Sequence, residues 1–305
     1  MRIGERGAAV VMAMGVVALA AVAATAILVS QSTWSRRAEL AADHAQAQEL
    51  VQAGSDWARA LLFDDGRSSS IDDLDEPWAL RLPPVPVEGG ELVGYIVDQQ
   101  GLFNLNNLVS DGKLNVTQFA RFQRLLSILG LPESLADAVV DWIDADNQPQ
   151  PQNGAEDEYY LALDPPYLPA NRPMIDVDEL ALVRGFDPSV RARLAPFVTA
   201  LPGPTAVNVN TAPPEVLAAL VEGLDLDAAR LLVARRNSAY YRDNADFKNQ
   251  LGKGAIVPDQ DIRVSSDYFL ASLRVTSGGA QARGKVLLAR LDASRWPTIV
   301  WSKYQ

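Results

Sequence analysis

The sequence predicts an α+β fold in which a long N-terminal helix packs on an antiparallel sheet, and a large all-α domain is inserted into that sheet. Three observations support this prediction. An uncharged apolar segment opens the chain, strand-like segments lie on both sides of its middle, and the middle has helical periodicity with short repeats. The length of 305 residues is sufficient for two domains.

The first element is a helix predicted over residues 8–63. Its first part, 8–29, is apolar, and no charged residue lies between Arg6 and Arg36. Roughly 23 helical residues at about 1.5 Å each span about 35 Å, enough to cross a hydrocarbon core of about 30 Å. In the second part, apolar side chains recur at helical spacing among charged ones. We therefore predict one helix with a transmembrane half and a half packed on a folded domain.

A cleaved secretory signal is the competing interpretation of this segment. Ala24, Thr25 and Ala26 have the small-residue spacing of a signal peptidase site. The apolar run continues beyond that site through Val29, where a signal peptide would already be polar. Arginine residues lie on both sides of the segment, so their count does not fix its orientation.

The sheet is predicted from strands that are far apart in the sequence. Residues 64–90 are rich in turn formers and are followed by a strand at 91–98. Three more strands are predicted near the C-terminus, at 268–276, 284–291 and 298–303. We therefore assign residues 64–100 and 268–305 to one β domain and residues 101–267 to an inserted helical domain.

The insertion contains internal repeats. Three segments share a turn of glycine and an apolar residue followed by a short helix, at residues 129–143, 184–198 and 222–236. Two further segments, 103–106 (FNLN) and 207–210 (VNVN), also echo each other, and their asparagines are expected to supply turns and helix N-caps.

The three helical repeats resemble helix-hairpin-helix units, which grip DNA phosphates in other proteins. Each turn here has one glycine instead of two, and acidic side chains at the hairpins would repel phosphate. The whole chain has a formal net charge of −11, from 27 basic and 38 acidic residues. We therefore interpret the repeats as scaffold and expect no nucleic-acid partner.

Most of the negative charge lies in one tract. The 47 residues between Arg124 and Arg172 contain no Lys or Arg and nine acidic residues. At its centre, a D-x-D pair (144–146) and an E-D pair (156–157) flank a loop rich in Pro, Gln and Asn. Ca²⁺ accepts irregular arrangements of carboxylate oxygens, although this spacing is not that of an EF-hand. The alternatives are a calcium site and a solvated acidic loop, and the nearby tyrosines and prolines favour an ordered loop whose carboxylates need a counter-ion.

Composition excludes several kinds of catalytic site. The chain has no cysteine, which excludes disulfides, thiolate metal sites and cysteine nucleophiles. Its one histidine, His44, lies in a helical stretch rich in Ala and Gln. A Ser-His-Asp triad or a multi-histidine zinc site is therefore not expected.

The N-terminus resembles the leader of type IV prepilins. MRIGERG is short and basic, ends in glycine and is followed at once by the apolar helix. The resemblance implies cleavage between Gly7 and Ala8 by prepilin peptidase on the cytoplasmic side. Most pilin-like subunits have glutamate as the fifth mature residue, whereas this chain has Met12. That departure is typical of one subfamily of type II secretion subunits.

A second resemblance covers nearly the whole chain. The run VDWIDADNQPQPQNGAEDEYY is similar to the core of the general secretion pathway protein K family, as are PPY (165–167), ANRP (170–173), DELALV (178–183), VNVNTA (207–212) and SSDYFLASLRV (265–275). The resemblance implies a pilin-like fold with an inserted helical domain that binds calcium. The ligands it implies are Asp144, Asp146, Glu156 and Asp157, with Asp141, Asp164, Asp176 and Asp178 as second choices.

For function, the family resemblance implies an assembly protein and not an enzyme. It implies a single-pass subunit of the bacterial inner membrane, with a cytoplasmic N-terminus and a periplasmic folded domain. Its implied partners are minor pseudopilins I and J at the pseudopilus tip, major pseudopilin G, minor pseudopilin H and prepilin peptidase. Two alternatives stay open: a membrane-anchored, metal-dependent periplasmic hydrolase that uses the acidic cluster, and a competence-type DNA-binding protein that uses the hairpins.

Overall fold

The computed structural model describes residues 4–81 and 83–305, and it confirms the predicted fold class. Helix α1 runs without a break over Gly4–Ser68, 65 residues or about 100 Å at about 1.5 Å per residue. It ends five residues beyond the predicted end at Phe63. Met1, Arg2 and Ile3 of the predicted leader lie outside the described residues.

One described helix, α1, is long and apolar enough to cross a membrane. Large apolar side chains from Val10 to Val29 are exposed, and Trp34 beyond them is 74% exposed. Since no described part of the chain covers this half of the helix, its apolar side chains are free to contact lipid or other helices.

The remaining elements are much shorter. The other helices are α2 (Val116–Ile128), α3 (Leu135–Ile143), α4 (Asp157–Leu161), α5 (Pro188–Leu194), α6 (Pro214–Leu220), α7 (Leu226–Arg236) and α8 (Asn244–Lys248). The strands are β1 (Val85–Val87), β2 (Gly90–Asp98), β3 (Phe103–Asn104), β4 (Val109–Ser110), β5 (Lys113–Leu114), β6 (Val198–Thr199), β7 (Val207–Asn208), β8 (Ile262–Arg263), β9 (Tyr268–Ser277), β10 (Ala280–Ala289) and β11 (Thr298–Tyr304).

The main sheet has five antiparallel strands in the order β1-β2-β9-β10-β11. Strand β2 pairs with β9 from Gly90 opposite Ser277 to Asp98 opposite Phe269, so the insertion leaves and re-enters the sheet between neighbouring strands. The sequence prediction of an interrupted sheet is therefore confirmed. It missed β1, because the proline-rich stretch that contains this strand has the composition of a loop.

The second half of α1 packs on one face of this sheet. Ala47, Val51, Ala58 and Leu62 are buried at helical spacing, and they form apolar clusters with side chains of β9 and β10. The helix lies so close at Gly284 that a Cβ atom there would be 2.4 Å from Val51 Cγ1. A glycine at this position therefore permits the close contact between α1 and the sheet.

The insertion consists of two halves that repeat one arrangement. In the first half, the strand of the FNLN segment pairs in parallel with β6, and in the second half the strand of VNVN pairs in parallel with β8. Asn106 and Met174 exchange two hydrogen bonds, Nδ2 to the carbonyl oxygen at 2.9 Å and the backbone N–H to Oδ1 at 2.8 Å. Asn210 and Tyr241 exchange the same pair at 2.9 and 2.8 Å.

The structure confirms the turns expected from these asparagines, since Asn104 and Asn208 accept from the backbone N–H groups of Asn106 and Asn210, but it corrects their expected role as N-caps of the α-helices that follow. Helix α2 is N-capped by the side chain of Asn115, and the N-cap residue of α6 is Pro213. Asn104 caps only a short 3₁₀ turn. In the FNLN and VNVN segments, the buried side-chain amides of Asn106 and Asn210 bind backbone groups far away in the sequence. The local sequence does not specify such a tertiary contact.

The three predicted turn-helix repeats are confirmed. Gly130, Gly185 and Gly223 all have positive φ values, between 62° and 85°. Each precedes a helix, namely α3, α5 and α7 respectively. Glycine is favoured here because an L side chain rarely adopts this backbone conformation.

A buried polar network, which we call the junction network, joins α1, the main sheet and the insertion. It contains Asp65, Asp72, Asp98, Ser266 and Arg290. Arg290 follows β10 and pairs with Asp65 at the end of α1 (Nη1 to Oδ2, 2.6 Å) and with Asp72. The Asp72 carboxylate also accepts a bond from the Ser266 backbone N–H at 2.6 Å, and the Ser266 hydroxyl donates to Asp98 at 2.7 Å. The point where the insertion leaves β2 is thereby tied to the point where it returns.

We predict that Arg290→Met will destabilise the full chain by about 3–5 kcal/mol, because two buried carboxylates lose their counter-charge. The free energy of unfolding is measured by urea denaturation in detergent. Arg295→Ala is the matched control, since Arg295 also pairs with an aspartate but is 84% exposed, and its loss is expected to cost at most about 1 kcal/mol. Equal stabilities of the two variants would contradict a structural role for the junction network.

Candidate metal centre

Three carboxylates from the acidic tract meet in the first half of the insertion. One ligand oxygen from each of Asp144, Asp146 and Glu156 lies within 4.8 Å of the others. Asp144 follows α3 directly, and Glu156 is the N-cap residue of α4. The loop between the two helices therefore folds back so that its ends bring the acids together.

The inner part of this cluster lacks partners among the described residues. Asp144 and Glu156 are each 4% exposed, and Asp146 is exposed. Asp144 Oδ1 and both Glu156 carboxylate oxygens are buried and accept no hydrogen bond. Buried carboxylate oxygens without a donor or a counter-charge are unfavourable, so the site as built favours a bound cation.

The burial and the mutual proximity of these carboxylates also raise their pKa values. Burial, followed by the charges of Asp141 and Asp144, raises the pKa of the Glu156 carboxyl to about 8. Burial, and then the charge of Asp146, raises the pKa of Asp144 to about 6. Without a cation, Glu156 therefore holds a proton at neutral pH while Asp144 is mostly ionised, and a divalent ion would displace that proton.

The donor set fits a hard divalent cation. All three groups offer oxygen, and one face of the cluster is open because Asp146 is exposed. Ca²⁺ takes six to eight oxygen ligands and fills its remaining positions with carbonyl groups and water. Asp144, Asp146 and Glu156 are the residues that would hold it.

Asp141 shapes the loop instead of facing the cluster with free oxygens. It is fully buried, and its carboxylate accepts bonds from the backbone N–H groups of Gln150 at 3.1 Å and Ala155 at 2.7 Å. Burial raises its pKa to about 7, while these two bonds lower it. A Cβ on Gly154 would lie 2.4 Å from the Asp141 carboxylate, so only glycine fits there.

Aromatic side chains pack against the loop between α3 and α4. Tyr160 is fully buried and contacts Trp142 and Tyr167, with ring centroids 5.4 and 5.3 Å away. Arg184 donates to the Gly154 carbonyl at 2.9 Å, and its guanidinium lies 4.7 Å from the Tyr159 ring centroid. The loop is therefore packed and ordered, as its tyrosines indicated.

The other predicted ligands lie elsewhere. Asp157 adjoins Glu156 in sequence but exchanges hydrogen bonds with Asn147, and Asp164 is exposed. Asp176 and Asp178 contact Lys303 Nζ on β11 at 3.1 and 3.0 Å. The structure thus brings together three of the four first choices and pairs two of the second choices with a lysine.

The N-terminal positions lie on α1. The backbone of Gly7 and Ala8 is helical, and Met12 is 69% exposed within the apolar half. Met12 therefore places an apolar side chain on the surface of the segment predicted to span the membrane.

A second group of acids was missed by the sequence reasoning. Asp65, Asp72 and Glu76 also bring ligand oxygens within 4.8 Å of one another. Their compensating charge is Arg290, which binds Asp65 and Asp72. Because Arg290 is more than 200 residues away in sequence, no local pattern indicated this pairing.

Comparisons with known proteins identify the family. Two family models match the chain, both described as type II secretion system (T2SS), protein K, one over residues 101–203 and the other over residues 207–265. These matches coincide with the two halves of the insertion.

Full-length relatives agree with the models. The chain is 34% identical over 307 residues to type II secretion system protein K of Pseudomonas aeruginosa, covering 97% of this chain and 91% of the relative. It is 34% identical over 303 residues to the protein of that name from Klebsiella pneumoniae, covering 94% and 93%.

A solved structure shares the fold. One chain in the crystal structure of the GspK-GspI-GspJ complex from the enterotoxigenic Escherichia coli type 2 secretion system matches with a TM-score of 0.70 and 22% identity. The match covers 90% of this chain and 99% of that one. With fold, length and sequence in agreement, this chain belongs to the type II secretion system protein K family.

Proposed function

We propose that this protein is a minor pseudopilin that joins minor pseudopilins I and J in a complex at the tip of the pseudopilus. There it would help to initiate pseudopilus assembly and cap the tip during protein export across the outer membrane. The observation that carries the proposal is the family membership, supported by a fold shared with a protein solved in a GspK-GspI-GspJ complex.

The position of the insertion supports a capping role. The apolar half of α1 lies at its N-terminal end, so in a membrane-anchored subunit the other end of α1 is distal to the membrane. The junction network attaches the insertion at that distal end, because Arg290 pairs with Asp65 at the end of α1 and also donates to the carbonyl oxygen of Ser266 in the insertion. A body of the size of residues 101–267 at this position would obstruct a further subunit stacking above it.

The apolar half supports the proposed location. We infer a single span in the bacterial inner membrane, a cytoplasmic N-terminus and a periplasmic folded domain. Further proposed partners are major pseudopilin G and minor pseudopilin H in the shaft, and prepilin peptidase at Gly7. Met12 replaces the usual glutamate, which fits a first subunit because no earlier helix offers an N-terminal amine to pair with.

The residues support assembly over catalysis. His44 is exposed on α1 and contacts Gln48, and the sequence contains no cysteine. The family assignment favours the assembly role over the hydrolase and DNA-binding alternatives.

We predict that the tagged full chain, solubilised in detergent, will recover minor pseudopilins I and J from cells that express the secretion machine. Deletion of the chain is expected to stop secretion. The control is the same purification from cells that lack I and J. Recovery of neither partner would overturn the tip-complex proposal.

We predict that the mature protein begins at Ala8. Mass spectrometry of the full chain from cells with and without prepilin peptidase measures this, because only the peptidase is expected to remove residues 1–7. A mature start at Ile27 would instead support the secretory-signal interpretation of Ala24-Thr25-Ala26.

We also propose that the acidic cluster binds calcium as a structural ion. A comparison of the two halves of the insertion supports this proposal. In the first half, residues 144–173 connect α3 to Met174, whose backbone is bound by Asn106. In the second half, only residues 237–240 connect α7 to Tyr241, whose backbone is bound by Asn210. Among the described residues, this extra loop of the first half carries the buried carboxylate oxygens that accept no hydrogen bond, which supports an ion site there.

We predict that excess chelator will lower the melting temperature of the full chain in detergent and that calcium will restore it. A free ion concentration of 100 times Kd stabilises by about 2.7 kcal/mol. Glu156→Gln should remove most of this shift, whereas Asp164→Asn, an exposed acid of the same tract, should keep it. An unchanged melting curve in chelator would exclude a structural ion.

The same experiment has a pH dependence of known sign. Since the folded-state pKa of Glu156 is raised to about 8 from an unfolded value near 4.5, the folded chain binds an extra proton between these limits. In chelator, the melting temperature is therefore expected to fall as pH rises from 5 to 8. Calcium should reduce this slope, because the ion replaces the proton.

A further inference from the structure

The two edges of the main sheet differ in how they are protected. Strand β1 has three residues and contains Pro86, both features that discourage pairing with another strand. Strand β11 at the other edge has seven residues, TIVWSKY, without proline and with high β propensity. The sequence therefore protects the β1 edge of the sheet against pairing with another strand, but not the β11 edge.

The backbone of β11 directs hydrogen-bonding groups away from the sheet. Arg283 and Gln305 exchange two backbone bonds, at 2.8 and 2.9 Å. In an antiparallel ladder such pairs alternate with pairs whose N–H and C=O groups point outward. Ser302 and Tyr304 occupy the alternate positions, opposite Val286 and Gly284. Within the described ranges β11 pairs with β10 alone, so these outward groups are available to a further strand.

The charged side chain on this edge, Lys303, does not protect it against pairing with another strand. Lys303 is the charged residue of β11, and an exposed lysine discourages strand addition. Its ammonium group instead binds Asp176 and Asp178 of the insertion and lies 5.4 Å from the Trp301 ring centroid. Lys303 therefore links β11 to the insertion on the sheet face opposite α1, and its charge does not oppose the addition of a strand at this edge.

Apolar and aromatic side chains continue this open edge. Ile299 and Val300 are 39% and 38% exposed. Trp296 is 44% exposed, and its ring packs at a tilt against that of Phe63 on α1, with ring centroids 5.3 Å apart. Arg67 lies over the other aromatic ring of this pair, 5.5 Å from the Phe63 centroid. Among the described residues no carboxylate pairs with Arg67, and exposed Trp and Arg are typical of binding hot spots.

We propose that β11 accepts an extended strand from a minor pseudopilin partner, I or J, which carries an acidic side chain opposite Arg67. This proposal rests on the proposed tip complex and adds the surface through which it forms. The added strand bonds to the outward groups of Ser302 and Tyr304 and covers Val300 and Trp296. A second copy of β11 fits less well, because the strand contains no acidic residue to face Arg67.

The test uses Ser302→Pro and Ser302→Ala in the full chain. Proline at 302 removes an N–H that points away from β10, so the sheet keeps its own ladder while the added strand loses a donor. Alanine keeps that N–H. We expect Ser302→Pro to recover about tenfold less of I or J than Ser302→Ala, since the added strand loses one backbone hydrogen bond and meets the proline ring at that position.

A second measurement does not depend on the fold of the proline variant. The photoreactive residue p-benzoylphenylalanine is placed at Ser302 or, as the matched control, at Pro86 on the closed edge. Illumination of cells is expected to yield an adduct with I or J from position 302 and none from position 86.

The outcomes separate the two proposals. Equal recovery by Ser302→Pro and Ser302→Ala, an adduct between two copies of this chain, or no adduct from 302 would overturn the strand proposal while the tip complex stands. If the unmodified chain recovers neither I nor J, the tip complex itself fails, and the strand proposal fails with it.

Discussion

The buried charge of Arg290 is the constraint on which the arrangement of this protein depends. A guanidinium is always ionised, so its burial requires carboxylates that are buried with it. Here those carboxylates come from the end of α1 and from the loop after it, and the same loop binds the residues where the insertion returns to the sheet. Helix, sheet and insertion must therefore be correctly placed together before the charge is compensated.

The protein treats its two acidic clusters differently. At the junction network a protein cation lies among Asp65 and Asp72, and the result is a fixed connection between domains. In the insertion, Asp144 and Glu156 have buried oxygens without any donor among the described residues. The first cluster has its counter-charge within the chain, whereas the second is the one for which we propose an ion from outside. Because the chain has no cysteine, the proposed ion would hold this long irregular loop in the way that a disulfide does in other proteins.

The two halves of the insertion clarify why this loop is special. Both use a buried asparagine, Asn106 or Asn210, to bind the backbone that follows the second helix of the half. The second half reaches its clamped residue through a short turn, while the first half does so through the acidic loop. The two halves thus share one arrangement, and the first half adds the acidic loop to it. The insertion lies at the end of α1, where its size would limit the stacking of a further subunit.

The sequence by itself determined the long helix, four of the five strands of the main sheet and the place of the insertion. The uncharged run before Val29 predicts a span by length and polarity, and the strands on both sides of residues 101–267 specify an interrupted sheet, because these signals are local and periodic. An acidic tract without basic residues is also visible without any structure, and the family resemblance narrowed it to Asp144, Asp146, Glu156 and Asp157, three of which the structure brings together. Only the tertiary structure decided that Asp141 binds backbone, that Asp176 and Asp178 face Lys303, and that Asp65 and Asp72 face Arg290. The physical reason is that charge compensation acts through space: a carboxylate is paired by whichever cation the fold brings near it, and here the partners are separated by more than 100 residues.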